Sequence, residues 1–208
     1  MSVRIGITGG IGSGKSIVSR ILRSMGIPVY DCDAEAKRIM NCDSVVRKRL
    51  TEHFGEECYS GANGLNRKYL ADCIFGDAEK LLLVNSIVHP RVKDDFVEWC
   101  GKMHGPIVAV ESAILFEAGF ADTVDYTVCV HADREICIDR VCKRNAMQRD
   151  EVVQRIERQA PVQYLIAKSD YSVVNNPHTP ILPQIHTIIA DINSQSLKIL
   201  KTGKLNSF

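Results

Sequence analysis

The chain has almost no excess of either charge: 26 lysines and arginines against 25 acids leave a formal net charge of +1. A nucleic-acid binder concentrates basic residues, so no nucleic-acid partner is expected. Long apolar runs are missing too, and no stretch approaches the roughly 20 residues that a membrane span needs. The first residues lead straight into a short apolar segment, without the charged and then apolar regions of a leader. A cytoplasmic protein with no membrane partner is therefore expected. Cysteine is present but unpatterned: Cys32, Cys42, Cys58, Cys73, Cys100, Cys129, Cys137 and Cys142 stand apart, with no C-x-x-C pair and no histidine at zinc-ligand spacing. Free thiols in a reducing compartment follow, not a disulfide frame or a zinc site. Repeats, long linkers and low-complexity segments are absent, and no feature specifies an oligomer. A length of 208 residues accommodates one sizeable α/β core with an appended lobe and is short for two independent domains.

What is present is concentrated near the start. Gly9-Gly10-Ile11-Gly12-Ser13-Gly14-Lys15-Ser16 follows the apolar run Val3-Arg4-Ile5-Gly6-Ile7 and fills the spacing G-x-x-x-x-G-K-[ST]. A loop that wraps a polyphosphate must turn several backbone N–H groups toward one centre, and glycine removes the side chains that would obstruct them. The helix expected from Lys15 adds the partial positive charge of its N-terminus. Lys15 would reach the outer phosphates of a nucleoside triphosphate, and the Ser16 hydroxyl could ligate Mg²⁺. A purely structural turn is the competing reading. It has cheaper solutions than four glycines and a first-turn lysine that opposes the macrodipole.

The remaining pattern alternates buried strands with helices, which predicts a parallel sheet. Val3 to Thr8 reads as a strand and Lys15 to Met25 as a helix stopped at Gly26. Ile27 to Tyr30 is a short second strand ending in Asp31-Cys32-Asp33. Either acid could cap the helix that follows, and the pair together at a sheet's carboxyl edge could take a hydroxyl proton or help to hold metal. Residues 34–104 are mostly helical: Ala34–Met40, Ser44–Phe54, Leu65–Phe75 and Ala78–Met103, with turns at 60–64 and at Gly76-Asp77. Pro90 is expected to kink or break the last helix near His89, which by itself could be an ordinary surface histidine.

Pro106 to Glu111 is a third strand, continuous in apolar residues up to its terminal acid. Glu111 could organise Mg²⁺ through water or cap the segment Ser112 to Glu117. Val124 to Val130 is a fourth strand. The next helix, Arg134 to Arg144, places Arg140 and Arg144 on one face, and a second helix over about Asp150 to Leu165 carries Arg155, Arg158 and Gln159. Two arginine-bearing helices over about 140–165 read as a lid that closes on phosphates. The alternative is a salt-bridged solvent face, with Glu151 and Arg155 at pairing distance in sequence. Asp170 to Asn176 is a fifth strand whose terminal amides could read a base edge or shape the turn before Pro177, and a final helix runs from about Ile181 to Leu200.

In order, these landmarks resemble the dephospho-coenzyme A kinase family over nearly the full length. The residues that carry the likeness are Gly6 to Ser16, Asp31-Cys32-Asp33, Leu65-Asn66-Arg67 with Phe75, Ile87-Val88-His89-Pro90, Leu115-Phe116-Glu117, Arg140 with Arg144, Arg155 with Gln159, and Asp170 to Asn175. The resemblance implies a three-layer α/β P-loop nucleoside-triphosphate fold with a five-stranded parallel sheet, a helical acceptor-binding lobe and a helical lid in one kinase domain. It implies ATP and dephospho-CoA as small-molecule substrates, Mg²⁺ on Ser16, and phosphoryl transfer to the ribose 3′-hydroxyl. Asp33 would be the base, Lys15 would steady the β and γ phosphates, and Arg140 would meet the transition state. ATP contacts would come from Gly10, Gly12, Ser13, Gly14, Lys15, Ser16, Ile17, Arg144 and Asn175, the last near adenine. Acceptor contacts would come from Asp33, His89, Leu115 and Glu117. Two departures stand out: Ile17 replaces the family's usual Thr, and Glu111-Ser112-Ala113-Ile114 replaces an Asp leading into Pro-Leu-Leu. A nucleoside monophosphate-type kinase shares the loop, lobe and lid. A regulatory nucleotide switch fits less well, since no N-K-x-D stretch is present and Asp33 would have no task.

Overall fold

The computed structural model describes residues 2–59 and 64–202, with side chains described through 196. The chain forms two compact units, one of Met1–Val29 with His104–Phe208 and the other of Tyr30–Met103.

The first unit is built on a five-stranded parallel sheet: β1 (Val3–Thr8), β2 (Val29–Asp31), β3 (Ile107–Glu111), β4 (Tyr126–His131) and β5 (Tyr171–Val174), in the order β2-β3-β1-β4-β5. β1 is central because it is apolar on both faces. It pairs in parallel with β3, where Ile7 meets Glu111, and with β4, where Thr8 meets Cys129. One face carries Ile5, Ile7, Ala109, Val128, Val130 and Val173 and is covered by Val18 and Leu22 of α1 (Lys15–Ser24) and by Ile185, Ile189 and Ile192 of α9 (Ile181–Thr202). Continuous burial of this kind needs helices on both sides of the sheet. α8 (Val162–Lys168) packs on β4, and α6 (Arg134–Asn145) and α7 (Arg149–Glu157) pack on each other, with Ile138, Val141 and Val152 forming a smaller cluster. Asp170 ties β4 to the entry of β5 by accepting from the Thr127 amide and hydroxyl, both at 2.7 Å.

Residues 150–165 were expected as one helix and are two. α7 ends at Glu157 and α8 begins after Pro161, whose ring fixes its own φ and disfavours helix in the residue before it. Between α6 and α7 the chain turns at Ala146, with φ 51°, the one non-glycine among the described residues in the left-handed region.

The described residues of the second unit form four α-helices and a 3₁₀ turn at Glu56–Cys58, and each α-helix has a side chain closing its first turn: α2 (Cys32–Cys42) by Asp31, α3 (Ser44–Phe54) by Asp43, α4 (Arg67–Ile74) by Asn66 and α5 (Ala78–Lys102) by Asp77. Their shared core includes Ile39, Val46, Leu50, Val84, Val88 and Phe96, and Tyr30 packs on Phe96 and Trp99 with centroids at 5.3 and 5.5 Å. α5 runs unbroken through Pro90, where a break was an expected outcome. Pro90 sits on the exposed side of the helix, so the carbonyl that loses a donor can turn to water. The turn expected at 60–64 lies outside the described residues at 60–63. Cys42 is exposed and Cys73 and Cys142 are partly exposed, while Cys58, Cys129 and Cys137 are buried.

Asp43 does two jobs in this unit. It caps α3 through the Val45 and Val46 amides, each at 2.9 Å, and accepts two bonds from Arg91 at 3.0 and 2.7 Å. Burial pushes its carboxyl up, but the Val46 amide and the Arg91 guanidinium outweigh burial and hold it below 3.8. Asp43→Ala is expected to cost about 1–2 kcal/mol in urea unfolding, a cap plus a partly exposed ion pair. Because the folded-state pKa is the lower one, the Asp43 contribution is complete above 3.8 and is lost as pH falls below it. Asp43→Asn is expected to flatten the acid limb of the stability profile in that window.

Candidate functional site

β1 ends at Thr8, α1 begins at Lys15, and the loop between them takes a path that L side chains cannot follow. Gly12 has φ 78°, and a methyl group there would come within 2.5 Å of the Cys137 carbonyl oxygen of α6. At Gly14, φ is 100°, and a methyl would fall 1.9 Å from Asn175 Nδ2. The loop is held from outside at three successive residues. Gln159 Oε1 accepts from the Ile11 amide at 2.8 Å, Arg140 Nη1 donates to the Gly12 carbonyl at 3.4 Å, and Asn175 Nδ2 donates to the Ser13 carbonyl at 2.7 Å. Arg140 Nη2 also donates to the Asn175 carbonyl at 2.9 Å, which locks two of the three holders together. Lys15 Nζ donates to the Gly9 and Gly10 carbonyls at 2.7 and 3.2 Å.

These contacts determine which peptide faces remain for a ligand. The α1 N-terminus supplies amides and partial positive charge, and Lys15 supplies a full charge at the same end. Two buried hydroxyls at the loop, Thr8 Oγ1 and Ser13 Oγ, have no hydrogen-bond partner among the described residues. Beside the loop a cavity of about 500 Å³, within the range of small-molecule sites, is lined by Gly10, Ile11, Ser13, His131, Gln159 and Leu165 among others. Burial pushes the His131 imidazole below its ordinary 6.5 against the pull of Asp133, so at neutral pH it is uncharged.

The residues singled out in the sequence divide into groups. Lys15, Arg140 and Asn175 share one hydrogen-bond system with the loop. Asn175 is buried, and its amide is engaged by Ser13 and Arg140. Ser16 and Ile17 lie in the first turn of α1, with Ser16 exposed. Arg144 is exposed and bonds to Asn145 next to it. The alternative pairing of Glu151 with Arg155 is not formed: Glu151 instead accepts from the Gln148 amide at 3.3 Å, and Arg155 has no ion pair among the described residues. Leu115 is wholly buried and packs against the backbone at Gly6, so its side chain acts beneath the sheet edge, while Glu117 is exposed.

In the second unit the Asp31-x-Asp33 pair separates by role. Asp31 accepts from the Ala34 amide at 3.0 Å and caps α2. Asp33, in the first turn of that helix, is exposed, and its carboxylate has no hydrogen bond or ion pair among the described residues. His89 on α5 is half buried, and burial lowers its pKa from 6.5, which favours the neutral ring.

Mg²⁺ takes oxygen ligands and commonly keeps one or two from protein, the rest coming from phosphates and water. The described residues hold no cluster of three or more acids, histidines or cysteines suited to a metal. The exposed Ser16 hydroxyl at the loop, with Glu111 one strand away in register with Ile7, is a donor set of the sparse, all-oxygen kind that fits this ion.

Comparison with known proteins agrees with this geometry. A family model described as dephospho-CoA kinase matches residues 3–180. A dephospho-CoA kinase of Bacteroides fragilis (strain YCH46) is 42% identical over 207 residues, covering 99% of this chain and 100% of that protein. The crystal structure of TT1252 from Thermus thermophilus is similar with a TM-score of 0.78 at 32% identity, covering 93% of this chain and 97% of that one. A dephospho-CoA kinase from Campylobacter jejuni has a TM-score of 0.69 at 19% identity, covering 94% and 100% of the two chains, a likeness that bears on fold alone.

Gly12→Ala puts a methyl against backbone that cannot swing aside, in a conformation costing about 1–3 kcal/mol for a non-glycine residue. The expected result is a roughly 10- to 100-fold loss of nucleotide affinity by calorimetry, with Gly26→Ala as a control that carries the same left-handed strain (φ 80°) outside the loop, where a methyl meets nothing within 4 Å, and so lowers stability without lowering affinity.

Proposed function

The chain belongs to the dephospho-CoA kinase family, and on that premise we propose how its residues divide the work of moving the γ-phosphoryl group of ATP to the 3′-hydroxyl of dephospho-CoA. The observation that carries the reading is the gripped loop, whose peptides 11–13 are each fixed by a side chain from outside. Phosphoryl transfer asks a protein mainly for position and for compensation of charge, and a preset loop supplies the first.

In this reading Gly10, Gly12, Ser13, Gly14 and Ile17 frame the phosphates with their backbone, and Lys15 keeps one N–H on the Gly10 carbonyl while it leaves the Gly9 carbonyl for the β and γ oxygens. Arg140 holds the loop and keeps a fixed positive charge beside it. Arg144 and Arg155, which have no acidic partners among the described residues, bind phosphate oxygens from the lid over about 140–165. Asn175 secures the loop's far end next to the adenosine. Ser16, with Glu111 through water, would hold Mg²⁺, and the ion would supply neutralisation of phosphate charge.

The helical lobe over about 34–104 takes dephospho-CoA, with His89 and Glu117 as polar contacts. Leu115 places the segment after β3 by packing. Asp33 is the base. Its support is the split within its motif: Asp31 is committed to the helix cap, and Asp33 carries a free, exposed carboxylate. The 3′-hydroxyl oxygen forms a bond to the γ phosphorus, the bond from that phosphorus to the β-γ bridging oxygen breaks, ADP leaves, and the hydroxyl proton passes to Asp33. Cysteines scattered without a paired pattern, among them the exposed Cys42, suit the reducing cytoplasm.

Asp33→Asn is expected to lower kcat by about 10²- to 10⁴-fold, the range of general-base loss, with ATP affinity within about twofold of wild type. Turnover that survives the substitution leaves Asp33 out of the chemistry. In the same assay dephospho-CoA is expected to be phosphorylated and nucleoside monophosphates are not; the opposite preference would assign the lobe to a different acceptor.

A further inference from the structure

A trans peptide is rigid, so fixing the N–H on one side aims the C=O on the other. The peptide between Gly10 and Ile11 is held in this way. Gln159 Oε1 accepts the Ile11 N–H at 2.8 Å, and on the opposite edge the Gly10 carbonyl accepts from Lys15 Nζ at 3.2 Å and from the Ser13 amide at 3.3 Å. Without an acceptor at Ile11, this glycine-flanked peptide can rotate, and the Gly10 carbonyl loses its aim. Gln159 is therefore two bonds away from the ammonium group at the phosphate site. It reaches that peptide from the short connection between α7 and α8, 148 residues along the chain. Its own backbone is anchored: the Gln159 amide donates to Ile156 at 3.1 Å, and Ile156 packs with the cluster of Ile138, Val141 and Val152.

We propose that Gln159 is a positioning residue for the phosphoryl transfer, orienting the Gly10–Ile11 peptide and thereby the Lys15 ammonium, and that through it the base of the lid and the phosphate loop move as one. This rests on the reading of the loop as the ATP site. The reach of the side chain matters: asparagine is one methylene too short for the Ile11 amide, and leucine or methionine fills the space without accepting. Because the bond is neutral, its loss acts on affinity in proportion to one ordinary hydrogen bond, and ATP feels it before dephospho-CoA does.

The test compares Gln159→Leu and Gln159→Met with the whole wild-type enzyme. Both are expected to raise KM for ATP, and Kd for ATP by calorimetry, by about 3- to 10-fold, the factor one neutral hydrogen bond commands. KM for dephospho-CoA and the thermal midpoint are expected to stay at their wild-type values. Without nucleotide, acylation of Lys15 followed by mass spectrometry is expected to be faster in both variants, since the ammonium is held less firmly. Unchanged or tighter ATP binding, an equal rise in both KM values, or unaltered Lys15 reactivity in folded protein each overturns the proposal. Lys15→Met separates this from the premise: normal ATP binding by that variant removes the loop as the ATP site, whatever the glutamine variants do.

Discussion

The site depends on the rigidity of the peptide unit. Arg140 and Asn175 pull the carbonyls of Gly12 and Ser13 outward, and a carbonyl pinned outward obliges the following N–H to point the other way: that of Ser13 closes onto the Gly10 carbonyl, which shapes the turn, and that of Gly14 points away from Asn175. Amide hydrogens that face a common centre are what an anion needs, and the chain obtains them with side chains that need not touch the anion themselves. Left-handed glycines make the path possible, and the outer side chains make it the only one. Each holder comes from a different element, α6, the α7–α8 connection or the end of β5, so the loop is only as well formed as the half of the sheet built from β4 onward.

The same economy appears among the acids. Where two charged groups stand close in sequence, one is committed to structure and the other is left over: among the described residues Asp31 caps a helix while Asp33 has no partner, and Glu151 closes α7 while Arg155 has no acid. Caps recur at the head of each α-helix described in the second unit, which allows short helices of middling propensity to present their first turns in fixed positions. A residue in such a first turn, as Asp33 is, inherits that precision.

Much of this was legible in the sequence. Periodicity and the G-x-x-x-x-G-K-S spacing gave the strands, the loop and α1, because local geometry there is set by local composition. The division of residues 150–165 was legible too, since Pro161 marks it, yet the arginine spacing on either side drew the reading toward one continuous helix. Pro90 misled in the opposite direction: a proline on a solvated helix face removes one bond and little else, and whether the face is solvated is a tertiary fact. The grip on the loop was hidden for the same reason. Arg140, Gln159 and Asn175 carry chemistry that suits phosphate or base, and only the fold shows that their polar atoms are engaged with backbone 128 to 162 residues away.

The scattered thiols also have a use. Burial raises Cys58 and Cys129 to about 11 and lifts Cys137 as well, so in the native protein these sulfurs are protonated and shielded, while Cys42 alone of the eight is exposed. Cys129 and Cys137 lie in the half that grips the loop and Cys58 in the helical unit. The chain thus contains a built-in clock for its own opening: an alkylating reagent marks Cys42 at once, finds Cys73 and Cys142 partly exposed, and reaches buried Cys58, Cys129 and Cys137 only as fast as each unit comes apart, with no dye or tag required.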